Sequence, residues 1–173
     1  YFVNDFFDSS QDLIANKKNS LQDKSRTKIF LIFFLSLIVA IIPWLFLPFT
    51  KFTFFLIAFQ IGLYLAYSVP PIRLKERGLI GIFADSLYAY VSPILLIIYT
   101  FTIEEGFHFT PLFLVVFVMW HFLTGVRNIL LHQEHDLAAD KKAGVRNYVS
   151  NISVEKLYKV IPFIIAGELF FSL

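Results

Sequence analysis

Along this chain of 173 residues, long uncharged apolar runs alternate with short polar connections. Residues 29–50 and 52–72 carry no charge, and each run exceeds the roughly 20 residues an α-helix needs to cross the hydrocarbon core of a bilayer. Residues 107–126 form a third run, broken only by His108 and His121, and residues 79–103 a fourth, interrupted only by Asp85. A fifth begins at Leu157. The pattern predicts spanning helices over about 29–49, 52–70, 79–103, 109–131 and 157–173. Residues 1–12 read as the end of a further helix, and residues 15–27 and 132–152 as polar connections. Val69-Pro70-Pro71 ends the second span, because proline has no N–H to donate and restricts the residue before it. Gly78 and Gly81 open the next.

Composition agrees: 57% of residues are hydrophobic, 18% aromatic and only 16% charged, where soluble domains carry about a quarter charged. The distribution of charge says more than the net +2. Five Lys or Arg fall within residues 17–28, three within 73–77 and five within 141–159, whereas the 103–108 connection carries Glu104 and Glu105 and no base. Threading the four complete spans puts the three basic segments on one membrane face and Lys51, Glu104 and Glu105 on the other. By the positive-inside rule the basic face is cytoplasmic. Bases in short loops beside membrane helices set topology, so nucleic acid is not an expected partner. With no cysteine there is neither a disulfide nor a thiolate metal site. The chain opens at Tyr1 directly on an acidic motif and closes inside an apolar run. The expectation is a single membrane domain over 1–173, truncated at both ends.

The acidic motif occurs twice. Sliding Asn4-Asp5-Phe6-Phe7-Asp8-Ser9-Ser10-Gln11-Asp12 onto His132-Gln133-Glu134-His135-Asp136-Leu137-Ala138-Ala139-Asp140 without a gap matches Asp8 with Asp136 and Asp12 with Asp140. Ala15 then meets Ala143, Lys18 meets Arg146, and Asn19 meets Asn147. The repeat predicts two similar halves of one helical bundle, each with an acidic helix end on the same face. Asp5, Asp8 and Asp12 are spaced to share one helical stripe, with Asn4 one turn behind Asp8. Asp136 and Asp140 are one turn apart, and Gln133 replaces the carboxylate of Asp5 with a neutral oxygen. Carboxylates stacked this closely repel unless a cation sits between them. Asn4, Asp5, Asp8, Asp12, Gln133, Asp136 and Asp140 are therefore candidate ligands. The oxygen-only set suits Mg²⁺ shared with substrate phosphates better than zinc or copper, with His132 and His135 leaving a mixed site open. The plain alternative is a solvated helix end.

The third segment is Tyr67-Ser68-Val69-Pro70-Pro71-Ile72-Arg73-Leu74-Lys75-Glu76-Arg77-Gly78. It carries Arg73 and Lys75 out of the membrane on the acidic face, where two cations suit a diphosphate, although on this segment alone topology-setting charge is the better account. Together, Asn4-Asp5-x-x-Asp8-x-x-x-Asp12, the Tyr67-to-Gly78 segment and Asp136-x-x-x-Asp140 resemble the three signatures of the UbiA superfamily of intramembrane prenyltransferases. The resemblance implies an all-α, polytopic transmembrane bundle of nine spans around a central cavity, of which this chain holds the end of the second through part of the seventh. It implies transfer of a prenyl group from an isoprenyl diphosphate to a lipophilic or aromatic acceptor, such as a quinone precursor. Asn4 and Asp8 would bind one Mg²⁺ and Asp136 and Asp140 another, with Asp12 assisting. Arg73 and Lys75 would bind diphosphate, and Tyr67 would lie near the reacting carbon. Asp8, Asp136, Asp140, Lys75 and Tyr67 are thus the expected catalytic residues, on the cytoplasmic side of what is expected to be a bacterial inner membrane. Two departures stand out: Gln133 replaces an Asp common in the family, and Ala15-Asn16-Lys17-Lys18-Asn19 replaces the Arg-Thr…Arg-Pro run of some branches. The acceptor of those branches is therefore not carried over.

Three further polar residues lie in or beside the spans. Asp85, about a turn into its helix, is expected to meet the acceptor, meet Arg127, or make a structural hydrogen bond. Arg127 and Asn128 are candidate diphosphate contacts, Arg127 the stronger. The rival reading is a non-enzymatic transporter coordinating cations with the same acids. A transporter would be expected to hold them near the midplane at broken helices, whereas here they sit at the rim.

Overall fold

The computed structural model describes residues 2–106 and 108–172. Tyr1, Phe107 and Leu173, where the predicted first helix end, the third apolar run and the last apolar run have a boundary, lie outside the described residues. Among the described residues every regular element is helical: α1 (Phe2–Ala15), α2 (Arg26–Ile41), α3 (Lys51–Ser68), α4 (Leu79–Ser86), α5 (Ser92–Glu104), α6 (Pro111–His135), α7 (Leu137–Ala143) and α8 (Val154–Ser172). Four stretches among the described residues are long and apolar enough to cross a membrane: Arg26–Leu45, Lys51–Ser68, Leu79–Glu104 and Pro111–His135. They correspond to the four complete spans predicted from the apolar runs.

Local chemistry sets the helix ends. Ser25 caps α2 by accepting from the Lys28 N–H, and Thr50 and Thr53 form a reciprocal capping box at the start of α3. Thr110 caps α6 with Pro111 in the first turn, where a missing N–H costs nothing. Two features depart from the sequence pattern. First, α6 continues through residues predicted as connection and ends at His135, so it carries Gln133; α7 follows after Asp136. Second, the Leu79–Glu104 span is not one regular helix, since Leu87–Val91 forms a π-helical turn between α4 and α5.

The buried core lies in the later part of the chain. Ile82 of α4, Val126, Ile129 and Leu130 of α6, Val149, and Leu157 and Ile161 of α8 form one cluster. By contrast, no residue of α2 is buried. Phe30, Phe34, Phe46, Phe54 and Phe163 are among many large apolar side chains left exposed, as expected of a surface meeting lipid rather than water. Against this apolar exterior, α1 packs on α3 and α7, and the connection 69–78 folds back on α4. Gly81 permits that last approach: a Cβ there would sit 2.5 Å from the Leu74 carbonyl oxygen and 3.1 Å from the Lys75 Cα. The acidic ends of α1 and α7 and the basic 69–78 connection thereby meet at the end of α3 opposite Lys51.

Candidate active site

The three sequence motifs converge on one cavity of about 550 Å³. Asn4, Asp5, Asp8 and Asp12 line it from α1, Tyr67 and Lys75 from α3 and the following connection, and Gln133, Asp136 and Asp140 from the α6–α7 junction. Asn128 also lines it.

Asp8 is buried and held by two cations. Arg73 Nη2 donates to its Oδ1 at 2.9 Å, and Lys75 Nζ donates to its Oδ2 and, at 2.9 Å, to Asn4 Oδ1. The Arg73 guanidinium also donates to Gln11, and Glu76 Oε1 lies 2.6 Å from its Nε, close enough for an ion pair but without hydrogen-bond geometry. Arg73 has φ 41°, ψ 60°, a left-handed conformation that costs a non-glycine residue about 1–2 kcal/mol. Its ionic partners offset that strain. Burial pushes the Lys75 ammonium below its ordinary value even though Asp8 pulls it upward.

Asp136 and Asp140 share a single cation from the other half of the motif. Lys17 Nζ lies 2.7 Å from Asp136 Oδ2 and 2.7 Å from Asp140 Oδ1. Burial alone would lower the Lys17 pKa, but its bonds to the two carboxylates outweigh burial and raise it. Asp140 Oδ2 accepts from Asn147 Nδ2 at 2.7 Å, and Asp12 Oδ2 accepts from Asn19 Nδ2 at 2.6 Å. Burial raises the Asp12 carboxyl above its usual range, with the Asn19 hydrogen bond opposing and Asp8 adding to the rise.

Asp5 and Gln133 are tied to backbone. Asp5 Oδ2 accepts from the Ser20 N–H at 3.3 Å and from the Ser20 hydroxyl, while Gln133 Oε1 accepts from the Val149 N–H at 3.2 Å. Both side chains pin the loop that follows their acidic helix.

Among the described residues no group of three or more His, Asp and Glu side chains is arranged to hold a metal ion by itself. The donor set nevertheless fits a hard cation. Asp136 and Asp140 already gather one ammonium between them, and Asp8 gathers an ammonium and a guanidinium. The candidate ligands are oxygens, with His132 Nε2 also on the cavity wall 3.8 Å from Asp136 Oδ2, and the partially buried carboxylates need positive charge.

Not every predicted residue reaches the cavity. Arg127 is not among the lining residues; its Nε donates to Glu168 Oε1 on α8 at 2.7 Å. Arg73 stands behind Asp8 rather than on the cavity wall. Conversely, sequence reasoning passed over Lys17, Asn147, Tyr64, Tyr88 and Tyr90. The match of Asn19 with Asn147 marked one of them, since each asparagine follows its bonded aspartate by seven residues. Nothing in the local sequence marked Lys17 as a partner for the distant Asp136 and Asp140.

The fold and the cavity define a class: a helical integral membrane protein with an acid-lined, aromatic-walled chamber at one end of the bundle. The chain belongs to the UbiA prenyltransferase family, whose model matches residues 1–171. Members of that family are membrane prenyltransferases that generally use a divalent metal, with isoprenyl diphosphates and lipophilic acceptors as substrates. No curated protein and no solved structure is significantly similar to the chain.

Proposed function

We propose that this protein carries out Mg²⁺-dependent transfer of a prenyl group from an isoprenyl diphosphate to an aromatic or quinone-precursor acceptor at the cytoplasmic face of a bacterial inner membrane. The observation that carries the reading is the convergence of two carboxylate pairs on one cavity, with three cations committed to them. Asp8 is held by Arg73 and Lys75, and Asp136 and Asp140 are held by Lys17. Such a charge set, nearly balanced and poised to exchange partners, suits a diphosphate arriving with its counter-ions.

Asn4, Asp8 and Asp12 on one wall, and Asp136, Asp140 and the neutral oxygen of Gln133 on the other, are the residues that would hold the metal, with Asp5 anchoring the following loop. When bound, the metal supplies neutralising charge to the diphosphate leaving group. Lys75 and Arg73 add fixed positive charge where negative charge grows as the C–O bond lengthens. Asn128 offers an amide to the same space. The rings of Tyr64, Tyr67 and Tyr88 pack with centroids 5.2 and 5.3 Å apart, so the chamber presents π-faces to a developing allylic cation. Water has to be kept from that cation, which it would quench.

The test is binding of geranylgeranyl diphosphate, with and without Mg²⁺, to protein expressed from its complete gene and to its Asp8→Asn and Asp136→Asn variants. Mg²⁺-dependent binding weakened by both substitutions is the expected result. If the wild type binds no prenyl diphosphate, or the variants bind it equally well, the assignment is wrong and cation coordination without transfer takes its place.

A further inference from the structure

The residues proposed to hold metal and diphosphate lie at the rim of the cavity, and its inner end has polar groups of its own. There, within the Leu79–Glu104 span, stands Asp85, about 9 Å along the helix from Leu79. Tyr88 donates its hydroxyl to Asp85 Oδ1 at 2.8 Å, and among the described residues no donor reaches Oδ2. An acidic side chain in a span normally serves a partner, and Arg127, the cation that sequence reasoning offered, is committed to Glu168.

The backbone beside Asp85 is unusual in a way that serves the cavity. In an uninterrupted α-helix Tyr90 would lie about 140° round from Asp85. The π-helical turn over Leu87–Val91 slows that rotation, and Asp85, Tyr88 and Tyr90 all line the cavity. The Tyr90 hydroxyl is fixed by accepting from Asn128 Nδ2 at 2.9 Å. The result is a polar pocket in an apolar wall: one carboxyl group with a free oxygen, two phenols and an amide. The Lys residues lining the cavity are Lys17, Lys18 and Lys75, all in the connections at its rim.

We infer that Asp85, Tyr88 and Tyr90 form the acceptor subsite, and that it takes an acceptor presenting an uncharged hydroxyl group while rejecting one presenting a carboxylate. The inference rests on the prenyl-transfer reading and names the acceptor class for it. A phenolic or alcoholic O–H donates to Asp85 Oδ2, which no donor among the described residues reaches. A carboxylate in the same place would face the Asp85 carboxyl group with no Lys or Arg among the described residues beside it and only His132, a cation when protonated, to offset the repulsion, and desolvating it there is costly. No bond is made or broken at Asp85; it selects and orients.

Hydroquinone and 4-hydroxybenzoate separate the two cases, since they differ in replacing one hydroxyl by a carboxylate. Binding of each to the wild type, Asp85→Asn and Tyr88→Phe proteins in nanodiscs is measured by saturation-transfer NMR at neutral pH. Geranylgeranyl diphosphate affinity is measured separately on the same preparations. The wild type is expected to bind hydroquinone at least about tenfold more tightly than 4-hydroxybenzoate, the worth of one charge-assisted hydrogen bond. Asp85→Asn is expected to erase most of that preference and leave geranylgeranyl diphosphate affinity unchanged. Tyr88→Phe, which keeps the carboxyl group, is expected to retain the preference even if Asp85→Asn fails to fold. The subsite is overturned if the wild type binds neither phenol, prefers 4-hydroxybenzoate, or binds hydroquinone as well after Asp85→Asn. A protein that discriminates between the phenols but binds no prenyl diphosphate keeps the hydroxyl subsite and loses the prenyl-transfer reading.

Discussion

The two acidic turns of this protein are built alike and supported differently. At the end of α1, the Asn16 N–H bonds to the Leu13 carbonyl and the Lys17 N–H to the Asp12 carbonyl. At the end of α7, Gly144 bonds to Lys141 and Val145 to Asp140 in the same pattern. Asn16 and Gly144 both take a left-handed conformation, with φ 58° and 70°. Asn19 then holds Asp12 as Asn147 holds Asp140, and the loops bury Leu21 and Val149 at matching places. The correspondence predicted from the repeated carboxylates thus extends into backbone hydrogen bonds and caps.

The difference lies in what neutralises each turn. Asp8 draws its cations from the 69–78 connection, whereas Asp136 and Asp140 draw theirs from Lys17, at the end of the first turn itself. Behind the second turn stands the main apolar cluster, with Val149 fully buried in it. The first turn instead leans on ionic contacts. The second turn therefore takes its neutralising charge from the other half, and the cavity lies where the two turns meet.

Asp8→Ala should break the comparison most severely. Removing the carboxylate leaves Arg73 and Lys75 facing each other with little solvent, a loss of about 3–5 kcal/mol that a thermal or denaturant unfolding midpoint in detergent would register. Asn147→Ala should cost about 2–3 kcal/mol by the same measurement, because it strands Asp140 Oδ2 and the Ser150 N–H against a packed core. Asn19→Ala, at the less packed turn, should cost about 1 kcal/mol. Equal losses would mean that the core does not distinguish the two turns. Lys17→Gln should cost about 1–2 kcal/mol, discounted for partial solvent exposure, by leaving Asp136 and Asp140 in mutual repulsion. Added Mg²⁺ should recover more stability in this variant than in the wild type, and an absence of recovery would count against a metal at that carboxylate pair. Asp5→Asn should shift the midpoint by less than about 0.5 kcal/mol, since an amide oxygen accepts from Ser20 as Gln133 accepts from Val149.

Much of the scaffold was legible in the sequence because hydrocarbon imposes a simple rule, and the four complete spans follow the uncharged runs. The end of α6 was not, because residues 132–135 are polar while their helix extends beyond the apolar zone. The π-helical turn was hidden too: Leu87-Tyr88-Ala89-Tyr90-Val91 contains no proline or glycine to mark it. Within the site, spacing along a helix brought Asp8 and Asp12, and likewise Asp136 and Asp140, to light. Lys17 and Arg127 escaped for a common reason, since each finds its partner in a distant segment. One basic residue read as a topology signal closes the second acidic turn, and another read as a substrate contact clips two helices together.

That clip bears on how the protein enters its membrane. Four ionisable residues, Glu155, Lys156, Lys159 and Glu168, keep α8 from qualifying by its own apolarity as a spanning helix. Arg127 in turn burdens α6, because an arginine at the centre of an inserting helix costs about 2.5–3.5 kcal/mol and somewhat less toward the rim. The Arg127–Glu168 bond joins residues 41 positions apart, so the guanidinium is synthesised well before its carboxylate. In the assembled bundle each helix supplies the counter-charge for the other, so the arginine of α6 and the glutamate of α8 are neutralised together.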